Sequence, residues 1–242
     1  MVGRIGHCVI LQGSEGDNGA MPNELNHHAK QIEPEPRWPS LVAMMAIGGL
    51  FYELPSAMTV GPDWLALVLV AVLITPAIIF HQKGMHKANQ IFGYLAQGVV
   101  TLSLAASLII LVLRLPTHKD TPAELLKAAA ALWVSNILVF ASWYWRLDAG
   151  GPNQRDLVRS HTDGAFLFPQ MVLDPELRKE MGEDQWRPGF VDYLFLAFNT
   201  STAFSPTDVP VLSRWAKVLM MLQSAISLTA IAILAARAVN IL

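Results

Sequence analysis

The stretch IFGYLAQGVVTLSLAASLIILVL, residues 91–113, decides the fold, because it runs for 23 residues without a charged side chain. A helix rises about 1.5 Å per residue, so a run of this length covers the roughly 30 Å hydrocarbon layer of a bilayer. Working outward, AAAALWVSNILVFASWYW at 128–145 is a second uncharged block of 18 residues. It ends in Trp143-Tyr144-Trp145-Arg146, the amphipathic rings and cation that favour the headgroup level. Three more apolar runs follow the same pattern: Leu41–Met58, interrupted only by Glu53, then Trp64–Phe80 and Val218–Ala236. The first two are separated by the turn sequence Val60-Gly61-Pro62-Asp63.

Composition points the same way. Hydrophobic residues make up 53% of the 242 and charged residues only 15%, against about a quarter charged in ordinary globular chains. A soluble domain of this size disperses its apolar residues along amphipathic elements, whereas here they stand in blocks. The net charge of −2, with no basic patch interleaved with aromatics, excludes a nucleic-acid partner. Cys8 is the single cysteine, which rules out an intrachain disulfide or a thiolate metal cluster. No Gly-rich phosphate loop, Ser–His–Asp pattern, His-Glu-x-x-His pair or Cys-x-x-Cys is present, so the chain is not expected to be an enzyme or to carry a cofactor. His81 and His86 flank a basic turn without a third ligand, and His27-His28 is a tail pair; no metal site is expected.

The expectation is therefore an all-α polytopic transmembrane helical bundle in the cell membrane, with about six membrane segments, at 41–58, 64–80, 91–113, 124–145, 190–208 and 212–238. Residues 1–37, rich in Gly, Asn, Glu and His and containing Pro34-x-Pro36, suggest a mostly disordered tail. Met21 offers a second plausible start, which would make the first twenty residues an extension. Residues 146–189 form a polar insert with six Lys or Arg and a short amphipathic helix near Pro175–Met181. If all six segments cross, twelve Lys and Arg share the side of both termini and five face the other, so both termini are expected in the cytoplasm.

The fifth segment differs from the rest. Tyr193–Thr207 is uncharged but short, and its second half, Asn199-Thr200-Ser201-Thr202-Ala203-Phe204-Ser205-Pro206-Thr207-Asp208, is polar. Four consecutive polar side chains fit on no single helical stripe and must meet protein or water, which favours a re-entrant or broken helix over an ordinary span. The block from Phe190 to Pro210, with its aromatic-rich start, threonines, Asp208 and nearby proline, then Ser213-Arg214 entering a long apolar helix, resembles the pore region of potassium-channel-like proteins. The resemblance covers about fifty residues and implies pore helix, filter and inner helix in that order. Ser205, Pro206 and Thr207 stand where that family has Gly-Tyr-Gly, and proline fixes its own φ, so the resemblance carries the shape of the segment and not potassium selectivity. The chain also resembles uncharacterised bacterial multispanning membrane proteins as a class.

The expected function is permeation or transport of an ion or small solute through a constriction formed by Asn199, Thr200, Ser201, Thr202, Ser205, Thr207 and Asp208, backed by Gln223 and Ser227. Glu53 is a further candidate, with a carboxylate reaching the interface as the simpler account. Asp208 either caps a turn or forms a mouth ring in an oligomer. The i,i+4 pairs Gln97/Thr101, Ser103/Ser107 and Gln223/Ser227, with Ser135 and Asn136, are expected to hydrogen-bond between helices, and Gly93, Ala96 and Ala232-x-x-x-Ala236 to permit close packing. Expected partners are the bilayer and either further copies of the chain or a membrane complex. The rival reading is a non-conducting scaffold or assembly subunit that docks a partner on the basic insert.

Overall fold

A computed structural model describes residues 35–239 except 60, 63, 83–84, 118, 159–160, 162 and 203–208. The tail 1–34, with Cys8, His27 and His28, therefore lies outside the described residues, as do Ser205, Thr207 and Asp208 and the side chains of His81 and His86. The described part belongs to one compact unit, Pro34–Leu242.

The first four helices are α1 (Trp38–Tyr52), α2 (Trp64–Gln82), α3 (His86–Arg114) and α4 (Pro122–Leu147). Three short helices follow, α5 (Pro152–Val158), α6 (Pro169–Val172) and α7 (Pro175–Glu180), and then α8 (Phe190–Thr202) and α9 (Arg214–Val239). No strand occurs among the described residues beyond the single antiparallel bridge Phe166–Val211. Three helical stretches are long and apolar enough to cross a membrane, Ala88–Thr117, Pro122–Gly150 and Arg214–Val239. This is consistent with membrane localisation.

Local sequence explains where the helices begin and end. Thr121 and Glu124 form a reciprocal capping box at the start of α4, with Pro122 at the first helical position. The expected first segment, 41–58, is corrected to α1 plus a short 3₁₀ turn at Ser56–Met58. Pro55 is the reason, since the residue before a proline is pushed away from helical dihedrals. The tail also ends earlier than 37. Glu35 pairs with Arg155 at 2.8 Å and Arg37 with Asp156 at 2.7 Å, so residues 35–37 are tied to α5.

α4 is the hub, packing against α1, α3, α8 and α9, while α2 lies against α1 and α3. Its contacts show the expected pairing of polar groups. Gln97 Nε2 donates to the Val139 carbonyl at 2.6 Å, and Trp143 Nε1 donates to Thr101 Oγ1 at 2.9 Å. Gly93 lies directly beneath the Arg146 guanidinium, leaving no space there for a Cβ.

Two ends of the bundle can be defined from cross-chain contacts. At the first, the start of α1 meets α5 and the end of α4, Tyr94 of α3 donates to the Arg146 carbonyl, and the insert caps the whole. At the second, Arg114 at the end of α3 grips Asp120 through two 2.8 Å hydrogen bonds and reaches the Ala57 carbonyl at 3.4 Å. The same guanidinium holds the Asp120 carboxyl below the usual range. Arg237 of α9 bonds the Leu115 carbonyl at this second end.

Candidate functional site

The last two helices give the molecule its unusual feature. Gln223 Nε2 of α9 donates to the Ala197 carbonyl of α8 at 2.6 Å and to Ser201 Oγ at 2.7 Å. One turn further on, Ser227 Oγ donates to the Ser201 carbonyl at 2.5 Å. Position 197 thus pairs with 223 and 201 with 227, an offset that stays constant as both numbers rise. The two helices therefore run parallel, side by side. Consecutive helices joined by a short connection ordinarily pack antiparallel, whereas here α9 starts beside the beginning of α8, about 20 Å back from Thr202 for a helix of 13 residues.

The return is visible where the chain is next described. Leu167 N–H donates to the Pro210 carbonyl at 3.0 Å and Leu212 N–H to the Ala165 carbonyl at 2.8 Å. Residues 210–212 thus lie beside the insert, at the end from which α8 set out. Trp215, at the start of α9, packs edge-on against Phe166 of the same insert. The start of α1 and the end of α9 lie at opposite ends of the bundle.

Why α8 and α9 associate is clear from their sequences. Tyr193, Leu196, Ala197, Thr200 and Ser201 recur at helical spacing and are buried, forming the face of α8 that meets protein. Gln223 is fully buried and Ser227 is 1% exposed. Tyr144 of α4 donates to Gln223 Oε1 at 2.5 Å, Asn136 Nδ2 to the Gln223 carbonyl at 3.2 Å, and Trp133 Nε1 to Ser227 Oγ at 2.9 Å. A buried amide satisfied on both its oxygen and its nitrogen fixes three helices in one register.

The expected site residues therefore separate. Thr200 and Ser201 are buried, with Thr200 Oγ1 donating to the Leu196 carbonyl at 2.8 Å. Gln223 and Ser227 bond α8 directly. Asn199 and Thr202 are half-buried on the flank, where Thr202 Oγ1 donates to the Asn199 carbonyl at 3.0 Å. Glu53 is exposed just past the end of α1, its N–H bonded to the Gly49 carbonyl, and does not join the others. The opposite stripe of α8, with Val191, Phe195 and Phe198, is exposed.

A second polar centre, of which hydropathy gives no hint, anchors α8 at its entry. Asp148 is fully buried and accepts from the Ala165 N–H at 2.5 Å and from Tyr193 Oη at 2.7 Å, with His161 Nε2 at 3.0 Å. Arg155, 5% exposed, donates through Nη1 to the Trp145 and Asp148 carbonyls, both at 2.9 Å, and through Nη2 to Glu35 at 2.8 Å. Its guanidinium also lies over the Tyr193 ring, 5.4 Å from the centroid. Two carboxylates thus face one guanidinium and one imidazole. The sequence signal for this centre is the turn Ala149-Gly150-Gly151, all at positive φ, which folds α5 back so that Arg155 returns to the carbonyls at the end of α4.

No group of three or more His, Cys, Asp or Glu suited to a metal occurs among the described residues. Comparison with known protein families, curated proteins and solved structures gives no match.

Proposed function

We propose that this chain is a multi-pass membrane protein built around a re-entrant half-helix, and that it passes an ion or small solute along the polar segment 199–208. The observation that carries this reading is the parallel α8–α9 pair, with the chain leaving α8 at Thr202 and lying again beside the insert by Pro210. A half-helix that stops inside a bundle, with polar side chains at its tip, is backbone that a bilayer tolerates only when it is buried in protein or lines a cavity. In α8 one flank meets α4 and α9, and Asn199 and Thr202 sit on the other. The path then runs past Thr202 and the Ser205–Asp208 stretch, and copies of the chain around a shared axis enclose it.

In this arrangement α1, α2, α3, α4 and α9 cross and α8 does not. Arg37, Lys87, Arg146, Arg155, Arg178, Lys179, Arg187, Arg214 and Lys217 then belong to the entry end, against Arg114, Lys119, Lys127 and Arg237 at the other. The excess of cations supports a cytoplasmic entry end and insert, with the C-terminus on the opposite side.

The rival scaffold reading leans on the insert as a basic docking surface. Residues 146–189 carry eight Asp or Glu against six Lys or Arg, and Arg155 is buried against Glu35, so the insert presents no net basic surface. Reconstituted vesicles separate the two readings. Thr202→Val and Asp208→Asn should each lower ion flux by about tenfold, on the scale of losing one polar ligand along a path, while expression and melting temperature hold. Equal flux from wild type and both variants would favour the scaffold.

A further inference from the structure

A cavity of about 130 Å³ opens at the entry end between α1, α3, the end of α4 and the start of α5. Its polar wall includes Arg146, Arg37, Asn89 and Gln90, and its inner wall is apolar, formed by Leu41, Met44 and Ala96. No carboxylate lines it among the described residues. Arg37 is already committed to Asp156 and Asn153. Arg146 is not. Its guanidinium lies on the bare backbone of Gly93 and 5.7 Å from the Trp145 ring centroid, and it has neither a carboxylate nor a hydrogen-bond acceptor among the described residues. A half-buried guanidinium without a protein acceptor among the described residues keeps its donors open to an anion in the cavity.

We propose that this cavity binds a phosphate-bearing anion, with Arg146 as its principal ligand and Asn89 and Gln90 as neutral donors at the rim. Arginine's planar fork suits two phosphate oxygens at once. The chemistry of the walls favours a particular source of that phosphate. A polar mouth above an apolar floor, beside the start of α1 where Trp38 is exposed, matches an anionic phospholipid with its headgroup at Arg146 and its first acyl carbons against Met44. Gly93 is part of the site because only a residue without Cβ lets the guanidinium lie flat on α3. This site is separate from the α8–α9 pair and does not depend on permeation.

The test uses the full chain, purified in neutral detergent and equilibrated with equal amounts of phosphatidylglycerol and phosphatidylcholine. Native mass spectrometry then counts the retained lipid. Wild type should keep phosphatidylglycerol over phosphatidylcholine by about fivefold or more, and both Arg146→Gln and Gly93→Ala should bring that ratio near one with phosphatidylcholine retention unchanged. A second arm titrates inorganic phosphate without lipid and follows the melting temperature. A phosphate-dependent rise in wild type that Arg146→Gln abolishes, with no lipid preference, would assign the site to a free phosphate; lipid preference alone assigns it to the headgroup. Equal retention of the two lipids together with no response to phosphate would overturn the site, as would variants that bind like wild type. If Arg146→Gln fails to fold, wild type and Gly93→Ala carry the same comparison.

Discussion

At the scale of single residues, Gln223 concentrates more of the architecture than any other side chain. It holds α8 by two donated hydrogen bonds, accepts one from Tyr144 of α4, and is fully buried. Replacing it by leucine keeps the volume but leaves the Tyr144 and Ser201 hydroxyls without that partner. Hydrogen bonds between membrane helices are individually modest, but unmet buried groups are costly, so Gln223→Leu should destabilise the protein by roughly 2–4 kcal/mol. Ser224→Ala removes only a 3.4 Å contact to the Thr200 carbonyl and should cost less than about 1 kcal/mol. Thermal unfolding in detergent compares the two. Equal losses would mean that Gln223 is not the register pin. The polar character of this residue was readable from the sequence, where Gln223 and Ser227 share a face. Its direction of bonding was not, because a helical period gives a face and not the neighbour it meets.

At the scale of elements, the insert is a clamp on the entry of α8. Tyr193 binds Asp148 directly, and the rings of Phe166 and Phe168 pack edge-on against Tyr193. Breaking this buried centre at Asp148 leaves Tyr193 Oη, the Ala165 N–H and His161 without their carboxylate, while Arg155 keeps Glu35 and the backbone carbonyls. Asp148→Ala should therefore cost roughly 2–4 kcal/mol, for two buried donors left unmet, and should expose the insert to limited proteolysis. Tyr193→Phe loses one hydrogen bond to the same carboxylate and should cost about 1–2 kcal/mol with the insert still protected. Rapid cleavage of both variants within 150–189, or of neither, would count against the clamp.

The same scale shows how much of the fold was legible. Long uncharged blocks gave α2, α3, α4 and α9 to within a few residues, because desolvation of a charge dominates every competing preference inside a membrane. Hydropathy alone missed the stop at Pro55, a backbone effect that apolar content does not register. It also missed the centre around Asp148, whose members Glu35, Asp148, Arg155, His161 and Tyr193 are scattered through stretches that resemble solvated loops. Burial of those charges comes from the turn at Ala149–Gly151 and from packing of distant elements. Neither leaves a periodic trace.

At the scale of the whole molecule, the decisive property is that α8 and α9 run parallel. Residues 190–208 are short and polar for an ordinary span, but neither hydropathy nor charge carries the direction in which the next helix runs. The parallel register of α8 and α9 sets the placement of α9. It puts the start of α9 on the same side as the insert and the end of α9 on the side of the α3–α4 turn, where Arg237 meets Leu115.

Sidedness of labelling tests this directly. With Cys8 replaced by serine, single cysteines at Asp184→Cys, Arg214→Cys and Lys119→Cys can be probed in sealed vesicles with a membrane-impermeant maleimide. Positions 184 and 214 should label from one face and 119 from the other. Labelling of 184 and 214 from opposite faces would show that 190–208 crosses the membrane and would contradict the re-entrant half-helix.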